Sequence, residues 1–364
     1  MIYIVDLEAV DTRYTGQWKD HVPKLLKKAG HNVQVISGPT DIPSATTPGA
    51  FLNFGGTNIY KSSQVEQMGR LFCSGAVKPG DHFIFTDAWH PGVINLKYMS
   101  ELLGIPITTH GLWHAGSYDP QDFLGRLVGN KPWVRHAEKS FFHAFDHNYF
   151  ATDFHIKLFY TNLLNDYPTE NPWFSEHLDE ILKGEDPRFV RTGWPMEYMN
   201  DILTPYKGMA KRDLILFPHR IAPEKQVEIF RDLATHLPQY EFVVCQDQYL
   251  TKNEYHNLLG EAKLVFSANL QETLGISCYE GAVVDAIPMV PDRLSYSEMY
   301  FDIFKYESKW TESYDAYTVY RPDLCRAIMS HMDYYKTRLP QLKQQALKLH
   351  EQFFSATDLL NNLN

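Results

Sequence analysis

Short apolar runs alternate with amphipathic segments through the first half of the chain. A short apolar run is typical of a strand buried on both faces, whereas apolar residues at every third or fourth position predict a helix. Strands are predicted at residues 1–7, 31–37, 81–88 and 105–111, and helices at 65–77 and 95–104. A loop that runs into a helix is predicted at 14–30, with Gly16 in the loop, and a strand that runs into a helix at 147–160. Strands that alternate with helices predict a parallel, doubly wound sheet.

The pattern becomes irregular between residues 161 and 205 and then starts again. We place the domain linker near the end of this stretch, at Gly193 to Pro195, because proline, glycine and aromatic residues are dense there. Beyond it, strands are predicted at 213–219, 241–246, 263–269 and, shorter, 288–291, and helices at 223–237, 251–262, 274–286 and, with a break at Pro340, 321–364. The predicted fold is α/β with two Rossmann-like doubly wound domains, 1–194 and 195–340, and a final helix over 341–364 that packs back towards the N-terminal domain.

Composition is that of a folded protein of two domains. The chain has 364 residues, of which 44% are hydrophobic and 21% charged, which excludes a disordered chain. A formal charge of −10 gives the chain no overall positive charge that would attract a nucleic acid, although a local basic cleft remains possible. Two basic clusters could contribute to such a cleft, and both are more often ordinary helix surface: Lys131, Arg135 and Lys139, and Lys24, Lys27 and Lys28.

The cysteines and the absence of long apolar runs indicate a reduced, cytoplasmic protein that does not enter a membrane. The four cysteines are far apart and form no C-x-x-C pair, unlike those of a disulfide scaffold or a zinc ribbon. No apolar run approaches the ~20 residues that span a bilayer. No D-x-D or H-E-x-x-H motif occurs, so no metal site is predicted.

Two glutamates eight positions apart flank a glycine directly after the predicted strand 263–269. If the helix begins near Leu274, the amides of Leu274, Gly275 and Ile276 form an anion site, with Glu272 before it and Glu280 about 9 Å beyond it along the axis. Hydroxyl groups at both ends and a diphosphate between them are the features of a nucleotide-sugar. The alternative is a solvated helix face, since one such glutamate pair is expected by chance in a chain of this length.

Two cations follow the first strand of the second domain. Arg220 and Lys225 would project from the carboxyl edge of the sheet that also carries Gly275, and each could approach a diphosphate. The alternative is a pair of ordinary surface cations near the start of a helix.

These residues resemble the donor-binding domain of GT-B glycosyltransferases, specifically the retaining family-four group. The matching positions lie between residues 213 and 291: Arg220, Lys225, Glu272, Gly275, Glu280 and Ile287-Pro288. The chain departs from the family pattern in having His219 and Gln226 beside the two cations, and Gly281-Ala282 in reversed order. The resemblance implies two domains that face a cleft, with the acceptor on the first domain and the donor on the second.

The resemblance also implies roles for the donor-site residues. Arg220 and Lys225 would hold the diphosphate, Glu280 the ribose, Glu272 the donor sugar, and the amides near Gly275 the β-phosphate. The implied donor-binding set is Arg220, Lys225, Glu272, Thr273, Leu274, Gly275 and Glu280. The implied catalytic set is Lys225, Arg220, Glu272 and His110.

The first domain contains further candidate residues. The segment ELLGIPITTHGLWHAG resembles the family's segment in which a strand ends in a histidine facing the donor sugar, and His110 takes that place. A buried core histidine is the alternative for both His110 and His114. The predicted acceptor-binding residues are Asp11, Gly16, Trp89, His90 and His114. Trp89 could stack on a sugar or on a flipped base, or could simply pack in the core.

The expected function is sugar transfer from a nucleotide diphosphate sugar, UDP-linked by expectation, to a hydroxyl acceptor. The resemblance implies retention by front-face attack, and neither a metal nor another cofactor is expected. The aromatic-rich first domain suggests hydroxymethylated cytosine in bacteriophage DNA as the acceptor. The alternatives are a small-molecule or glycan acceptor, a sugar-nucleotide epimerase and a non-catalytic binding module. A monomer or weak dimer is expected.

Overall fold

The structure, a computed structural model, describes residues 1–8, 14–43, 45, 52–165 and 169–363. It divides into two compact units. The first unit comprises Met1–Pro195 together with Ala356–Asn364, and the second comprises Met196–Ser355. Asp11, one of the predicted acceptor residues, lies outside the described residues.

The first unit is built on a six-stranded parallel sheet in the order β2-β1-β3-β4-β5-β6. Its strands are β1 (Ile2–Val5), β2 (Val33–Ile36), β3 (His82–Phe85), β4 (Thr108–Leu112), β5 (His147–Phe150) and β6 (Phe189–Arg191). All four residues of β1 are buried, as its unbroken apolar sequence predicts. Chain order reverses between β1 and β3, and ligands of doubly wound sheets bind at the carboxyl ends of the strands beside such a reversal.

Helices pack on the first sheet. One of them, α7 (Pro172–Leu182), lies within residues 161–205, where the sequence predicts an irregular region. The helices are α1 (Tyr14–Lys28), α2 (Phe54–Cys73), α3 (Gly92–Leu103), α4 (Phe123–Val128), α5 (Pro132–Ala144), α6 (Asp153–Phe159) and α7 (Pro172–Leu182). A π-helical turn follows α6 at Tyr160–Leu164. Proline forms the first residue of α7 and the Asn171 side chain accepts a hydrogen bond from the Trp173 amide, so residues typical of loops here start a helix.

The second unit has a five-stranded sheet in the order β11-β10-β9-β7-β8, with every described pair parallel. Its strands are β7 (Arg212–Phe217), β8 (Glu241–Val244), β9 (Ala262–Phe266), β10 (Ile287–Pro291) and β11 (Lys305–Tyr306). Chain order reverses between β7 and β9. The predicted class, two parallel-sheet α/β domains, is therefore confirmed.

The helices of the second unit include two long ones near the carboxyl terminus. They are α8 (Tyr198–Leu203), α9 (Val227–His236), α10 (Lys252–Glu261), α11 (Ile276–Val283), α12 (Tyr296–Met299), α13 (Tyr314–Asp333) and α14 (Tyr335–Phe353), and α15 (Thr357–Asn361) belongs to the first unit. The predicted break at Pro340 is wrong: the helices separate at Tyr334, and Pro340 lies inside α14. Buried Leu342 and Leu349 anchor α14 beyond the proline, so packing outweighs the lost amide donor. No helix in the described ranges is long and apolar enough to cross a membrane.

Candidate functional site

The chain reversal in the second sheet brings the candidate donor residues together. Arg220 and Lys225 follow β7, and Glu272 follows β9, the strand paired directly with β7. In a parallel sheet the segments that follow neighbouring strands start at the same edge. Residues 47 positions apart in the sequence, Lys225 and Glu272, thereby become direct neighbours.

Lys225 is a buried cation at the centre of this site. Its side chain is 8% exposed, and its ammonium group donates a hydrogen bond of 2.6 Å to the carbonyl of Gln271 and lies 3.4 Å from a carboxylate oxygen of Glu272. A short 3₁₀ turn, Pro223–Lys225, carries the lysine, and Gln226 ends that turn with a φ of 53°. The Gln226 side chain donates to the carbonyls of Ala268 and Thr311, which stabilises the left-handed backbone.

Glu272 is held as a carboxylate by positive and dipolar groups. One of its oxygens lies 3.2 Å from the amide of Thr273 and 3.4 Å from the amide of Leu274. Burial opposes ionisation, but Lys225, His219 and the amides of Leu274 and Gly275 outweigh it, so the pKa of Glu272 lies below its ordinary value. The amides that precede α11 are thus directed at the protein's own carboxylate, and their binding of a ligand anion stays a prediction.

Arg220 lies at the margin of the site. Its guanidinium group pairs with Glu224, whose side chain is 1% exposed, while the arginine side chain itself is 40% exposed. Because a buried carboxylate fixes one end of the guanidinium, the rest of its donors can be directed towards a ligand. The sequence did not predict the contribution of Glu224.

Glu280 occupies a different electrostatic environment. It lies on α11 and accepts a hydrogen bond of 2.7 Å from the hydroxyl of Tyr255 on α10. Burial raises the pKa of Glu280 to about 7, although Tyr255 and Lys252 partly offset this effect. Glu272 and Glu280 therefore differ in charge near neutral pH: the first is ionised and the second titrates.

Two further contacts fix the backbone before α11. Gly275 has a φ of 75°, and a β-carbon there would lie 2.6 Å from the ring of Tyr296, so only glycine fits. Arg293 donates to the carbonyls of Ala268 and Asn269, which holds the loop that follows β9. Neither Tyr296 nor Arg293 could be assigned from the sequence, since their contacts cross more than twenty positions.

The first unit contains a cavity of about 330 Å³ at the carboxyl ends of β1, β3 and β4. Glu8, Asp87 and His114 each follow one of these strands and line the cavity. Helices contribute most of the remaining wall, which is largely apolar. The aromatic residues among its lining are Tyr14, Phe54, Trp89, Phe123 and Trp133.

Solved structures of similar fold are known. The catalytic domain of starch synthase IV from Arabidopsis thaliana aligns with a TM-score of 0.59 and 12% identity over 99% of this chain and 97% of its own. Sucrose-phosphate synthase from Thermosynechococcus elongatus aligns with a TM-score of 0.60 and 10% identity over 100% of this chain and 96% of its own. WaaG, a glycosyltransferase involved in lipopolysaccharide biosynthesis, aligns with a TM-score of 0.56 and 12% identity over 100% of both chains. No protein-family profile matches the chain, and no curated protein matches it in sequence.

The fold is that of GT-B glycosyltransferases. At these low identities the likeness establishes the fold alone, so activity and substrates have to be argued from the side chains of this chain.

The structure brings two of the predicted acceptor residues to the cavity. Trp89 and His114 both line it. The Trp89 indole N–H donates to Glu138, and the His114 ring lies 4.3 Å from that of Trp194. Gly16 does not lie in a loop as predicted; it belongs to the first turn of α1.

The other two histidines predicted to belong to the site, His110 and His90, lie in the interior of the first unit. His110 is fully buried in β4, with its ring nitrogens 2.9 Å from His82 and 3.0 Å from the Tyr149 hydroxyl. Burial, with His147 and His82, holds the pKa of His110 well below its ordinary value. The expectation that His110 faces a donor sugar does not fit this position, which is that of the buried core histidine.

His90 is likewise enclosed. It is 2% exposed, one ring nitrogen lies 3.0 Å from Gln64, and the other accepts a hydrogen bond from the Gly92 amide. Burial holds its pKa well below the ordinary value as well. His90 is therefore placed to support the loop after β3 rather than to contact an acceptor. No cluster of three metal-ligating side chains occurs among the described residues.

Proposed function

We propose that the chain transfers a sugar from a nucleotide diphosphate sugar to a hydroxyl acceptor. The observation that carries this proposal is the convergence, in the second unit, of Lys225, Glu272 and the amides of Thr273 and Leu274 at the carboxyl edge of the sheet. A cation and a group of amides at that edge are suited to a diphosphate. The GT-B fold supports the same conclusion.

In the proposed reaction the bond between the anomeric carbon and the β-phosphate oxygen breaks, and the nucleotide diphosphate leaves with the electron pair. The acceptor oxygen forms the new bond to the anomeric carbon, and its proton passes to the departing phosphate. Lys225, Arg220 and the amides stabilise the negative charge that develops on the leaving group. Glu280 holds the ribose, and Glu272 with Thr273 orients the donor sugar.

Retention of anomeric configuration is proposed because the donor-site residues resemble those of the retaining family-four group, and the state of Glu272 bears on the route to a retained product. A double-displacement mechanism needs a carboxylate that is available to attack the anomeric carbon. The Glu272 carboxylate is engaged by Lys225 and by backbone amides, which makes it a poor nucleophile. Front-face attack by the acceptor is then the route to a retained product, and the anomeric coupling constant of the product measures it.

A screen of donors tests the proposal. The full chain is incubated with UDP-, ADP- and other nucleotide-linked sugars, with and without acceptors, and release of nucleotide diphosphate is measured. ADP belongs in the screen because the starch synthase structure was solved with ADP and acarbose. Acceptor-dependent release from one donor supports the proposal. Nucleotide binding without release under any acceptor supports the non-catalytic alternative, and a rearranged nucleotide-sugar supports an epimerase.

Donor binding is expected to depend on pH through Glu280. Its pKa of about 7 means that the carboxylate, which accepts hydrogen bonds from ribose hydroxyls, is progressively lost as the pH falls through neutrality. Affinity for the nucleotide-sugar should fall about tenfold between about pH 8 and pH 6, since roughly nine tenths of a group is protonated one unit below its pKa. Isothermal titration calorimetry measures this effect.

Glu280→Gln is the control for that titration. Glutamine keeps the size and an acceptor oxygen but cannot titrate, so the variant should bind more weakly at pH 8 and show a flat profile. A profile that keeps its slope in Glu280→Gln would assign the pH dependence to another group and remove Glu280 from the donor site.

Hydroxymethylated cytosine in DNA is the acceptor that the sequence suggested, and one feature of the first unit favours it. Trp133 lines the cavity from α5, and Lys131 and Arg135 stand on either side of it in the sequence, both exposed. Lys131 and Arg135 do not line the cavity themselves, but exposed cations on the segment that carries an aromatic lining residue are suited to the backbone phosphates of a polynucleotide whose base is extruded. The formal charge of −10 restricts such contacts to this local patch.

A further inference from the structure

The cavity of the first unit has features that select a class of acceptor. We propose that it binds a planar aromatic or heteroaromatic ring carrying a hydroxyl group, and that this hydroxyl receives the sugar. The inference rests on the proposed function and deepens it by naming the substrate class. A volume of about 330 Å³ lies at the small end of the range for ligand pockets, which suits a single ring system.

Aromatic rings held in place by their neighbours form much of the wall. The rings of Phe54 and Phe123 stack on each other, with an interplanar angle of 18° and centroids 6.0 Å apart. Trp89 is fixed by the hydrogen bond of its indole N–H to Glu138, and by edge contact with Phe141. Trp133 is 57% exposed and contributes to the lining. Fixed and partly exposed rings of this kind favour stacking on another ring.

The polar groups of the lining are few and mostly acidic. Lys61 lies 3.4 Å from Asp87 and donates a hydrogen bond of 2.5 Å to the carbonyl of Trp89. Glu8 is half-buried nearby, and burial raises its pKa. Three carboxylates, those of Glu8, Asp87 and Asp122, line the cavity with the single described cation Lys61. This net negative charge disfavours a phosphate inside the cavity and favours a neutral group that donates a hydrogen bond.

The same lining disfavours a sugar as the occupant. A sugar carries several hydroxyl groups, and each one buried without a partner weakens binding. Asp122 already accepts the amide of Leu124, and Asp87 accepts the amide of Trp89 and pairs with Lys61. Glu8 lies beside the Thr57 hydroxyl and Lys61 and keeps acceptor capacity for one further donor, so the cavity suits a ring with one hydroxyl better than a polyol.

Such a ring could come from a free aromatic alcohol or from a base turned out of a polynucleotide. The ring and its hydroxyl are common to both sources, and the phosphates of a polynucleotide would remain outside the cavity. Transfer assays with the full chain and its donor separate the sources. Their acceptors are a hydroxymethylpyrimidine nucleoside, benzyl alcohol, a duplex containing the hydroxymethylated base, glucose and an aliphatic alcohol of similar size.

Transfer to the nucleoside or to benzyl alcohol supports the inference with a free acceptor. Transfer confined to the duplex, weakening steeply with salt, supports it with a polynucleotide as the source. Transfer to glucose or to the aliphatic alcohol at rates equal to or above those of the aromatic acceptors overturns it.

Trp133→Ala tests the aromatic wall without endangering the fold, because the side chain is largely exposed. Removing one stacking contact should raise KM for the aromatic acceptor on the order of tenfold. Trp133→Tyr should restore most of the affinity. The matched control is Trp173→Ala, since Trp173 is 72% exposed in the same unit and does not line the cavity. Equal KM values for Trp133→Ala and Trp173→Ala would overturn the inference.

Glu8→Gln tests the polar end. Binding of the hydroxymethyl nucleoside should weaken several-fold, whereas binding of its methyl analogue, which lacks the hydroxyl, should not change. An equal loss for both ligands would contradict a contact between Glu8 and the hydroxyl.

Measuring hydrolysis of the donor by water distinguishes failure of this inference from failure of the proposed function. If the donor is bound and slowly hydrolysed by water while aromatic acceptors are ignored, the inference fails and the proposed function stands. If no nucleotide-sugar is bound or consumed, the proposed function itself fails.

Discussion

Replacing Lys225 by alanine should reduce sugar transfer about a thousandfold. A charge pair about 4 Å apart at an effective dielectric constant near 20 interacts with about 4 kcal/mol, and each 1.4 kcal/mol changes a rate about tenfold. The ammonium group is positioned by the Gln271 carbonyl and by Glu272, so it is organised before the reaction begins. Because the charge on the leaving diphosphate grows in the transition state, the loss should appear mainly in kcat.

Lys305→Ala is the matched control for this variant. Lys305 lies in the same unit, its side chain is 10% exposed, and it pairs with Asp292 at 3.2 Å and Asp302 at 3.0 Å. Both substitutions remove a mostly buried, ion-paired lysine, but only one removes it from the proposed donor site. Steady-state kinetics and thermal unfolding are measured together. Similar losses of kcat in the two variants would attribute the effect to stability and remove Lys225 from catalysis.

The positions of the donor residues could be predicted from the sequence because each follows an apolar strand. A strand and the turn after it are local features, and the shared carboxyl edge of a parallel sheet places Arg220, Lys225 and Glu272 near each other. Their partners could not be predicted. Glu224 is one of many glutamates in the chain, and only the folded loop shows that it is buried against Arg220. Tyr255 contacts Glu280 across 25 positions, between two helices whose packing the sequence leaves open.

The first unit shows where sequence patterns mislead. The sequence predicts His110 near the end of a strand, but β4 continues to Leu112, and β3 and β5 flank it on both sides. A histidine in the interior of a sheet is satisfied by its neighbours, here His82 and Tyr149, rather than by a ligand. The carboxylates that follow β1 and β3, Glu8 and Asp87, carried the signal that was missed, since they lie at the chain reversal of that sheet.

Substituting Gly275 by alanine should damage both the stability and the donor site of the second unit. A non-glycine residue in the left-handed region costs about 1–2 kcal/mol. The new β-carbon would also lie 2.6 Å from the ring of Tyr296, and overpacking of a buried ring costs about 1–3 kcal/mol. Tyr296 is fully buried, and its hydroxyl lies 3.1 Å from the Ser267 hydroxyl and 3.0 Å from the Asn269 side-chain amide. Because these contacts hold the ring in place, the backbone at residue 275 has to move to relieve the clash.

That movement should displace the amides that the diphosphate needs. Leu274 and Gly275 both direct their amides to Glu272, and a shift of this segment misaligns them with a ligand. Nucleotide-sugar affinity, measured by calorimetry, should fall at least about tenfold, the equivalent of one charge-assisted hydrogen bond. The matched control is Gly208→Ala, because Gly208 has a φ of 73° and nothing within 4 Å of its β-carbon position.

Gly208→Ala carries the same backbone strain without the clash, so it should lower the unfolding temperature less and leave nucleotide affinity unchanged. Tyr296→Leu then separates strain from clash. If the clash causes the loss, the affinity lost in the double variant Gly275→Ala, Tyr296→Leu should be smaller than the sum of the two single losses. Additive losses would show that Gly275 acts through its backbone conformation alone, and that the buried tyrosine does not set the position of the donor-site amides.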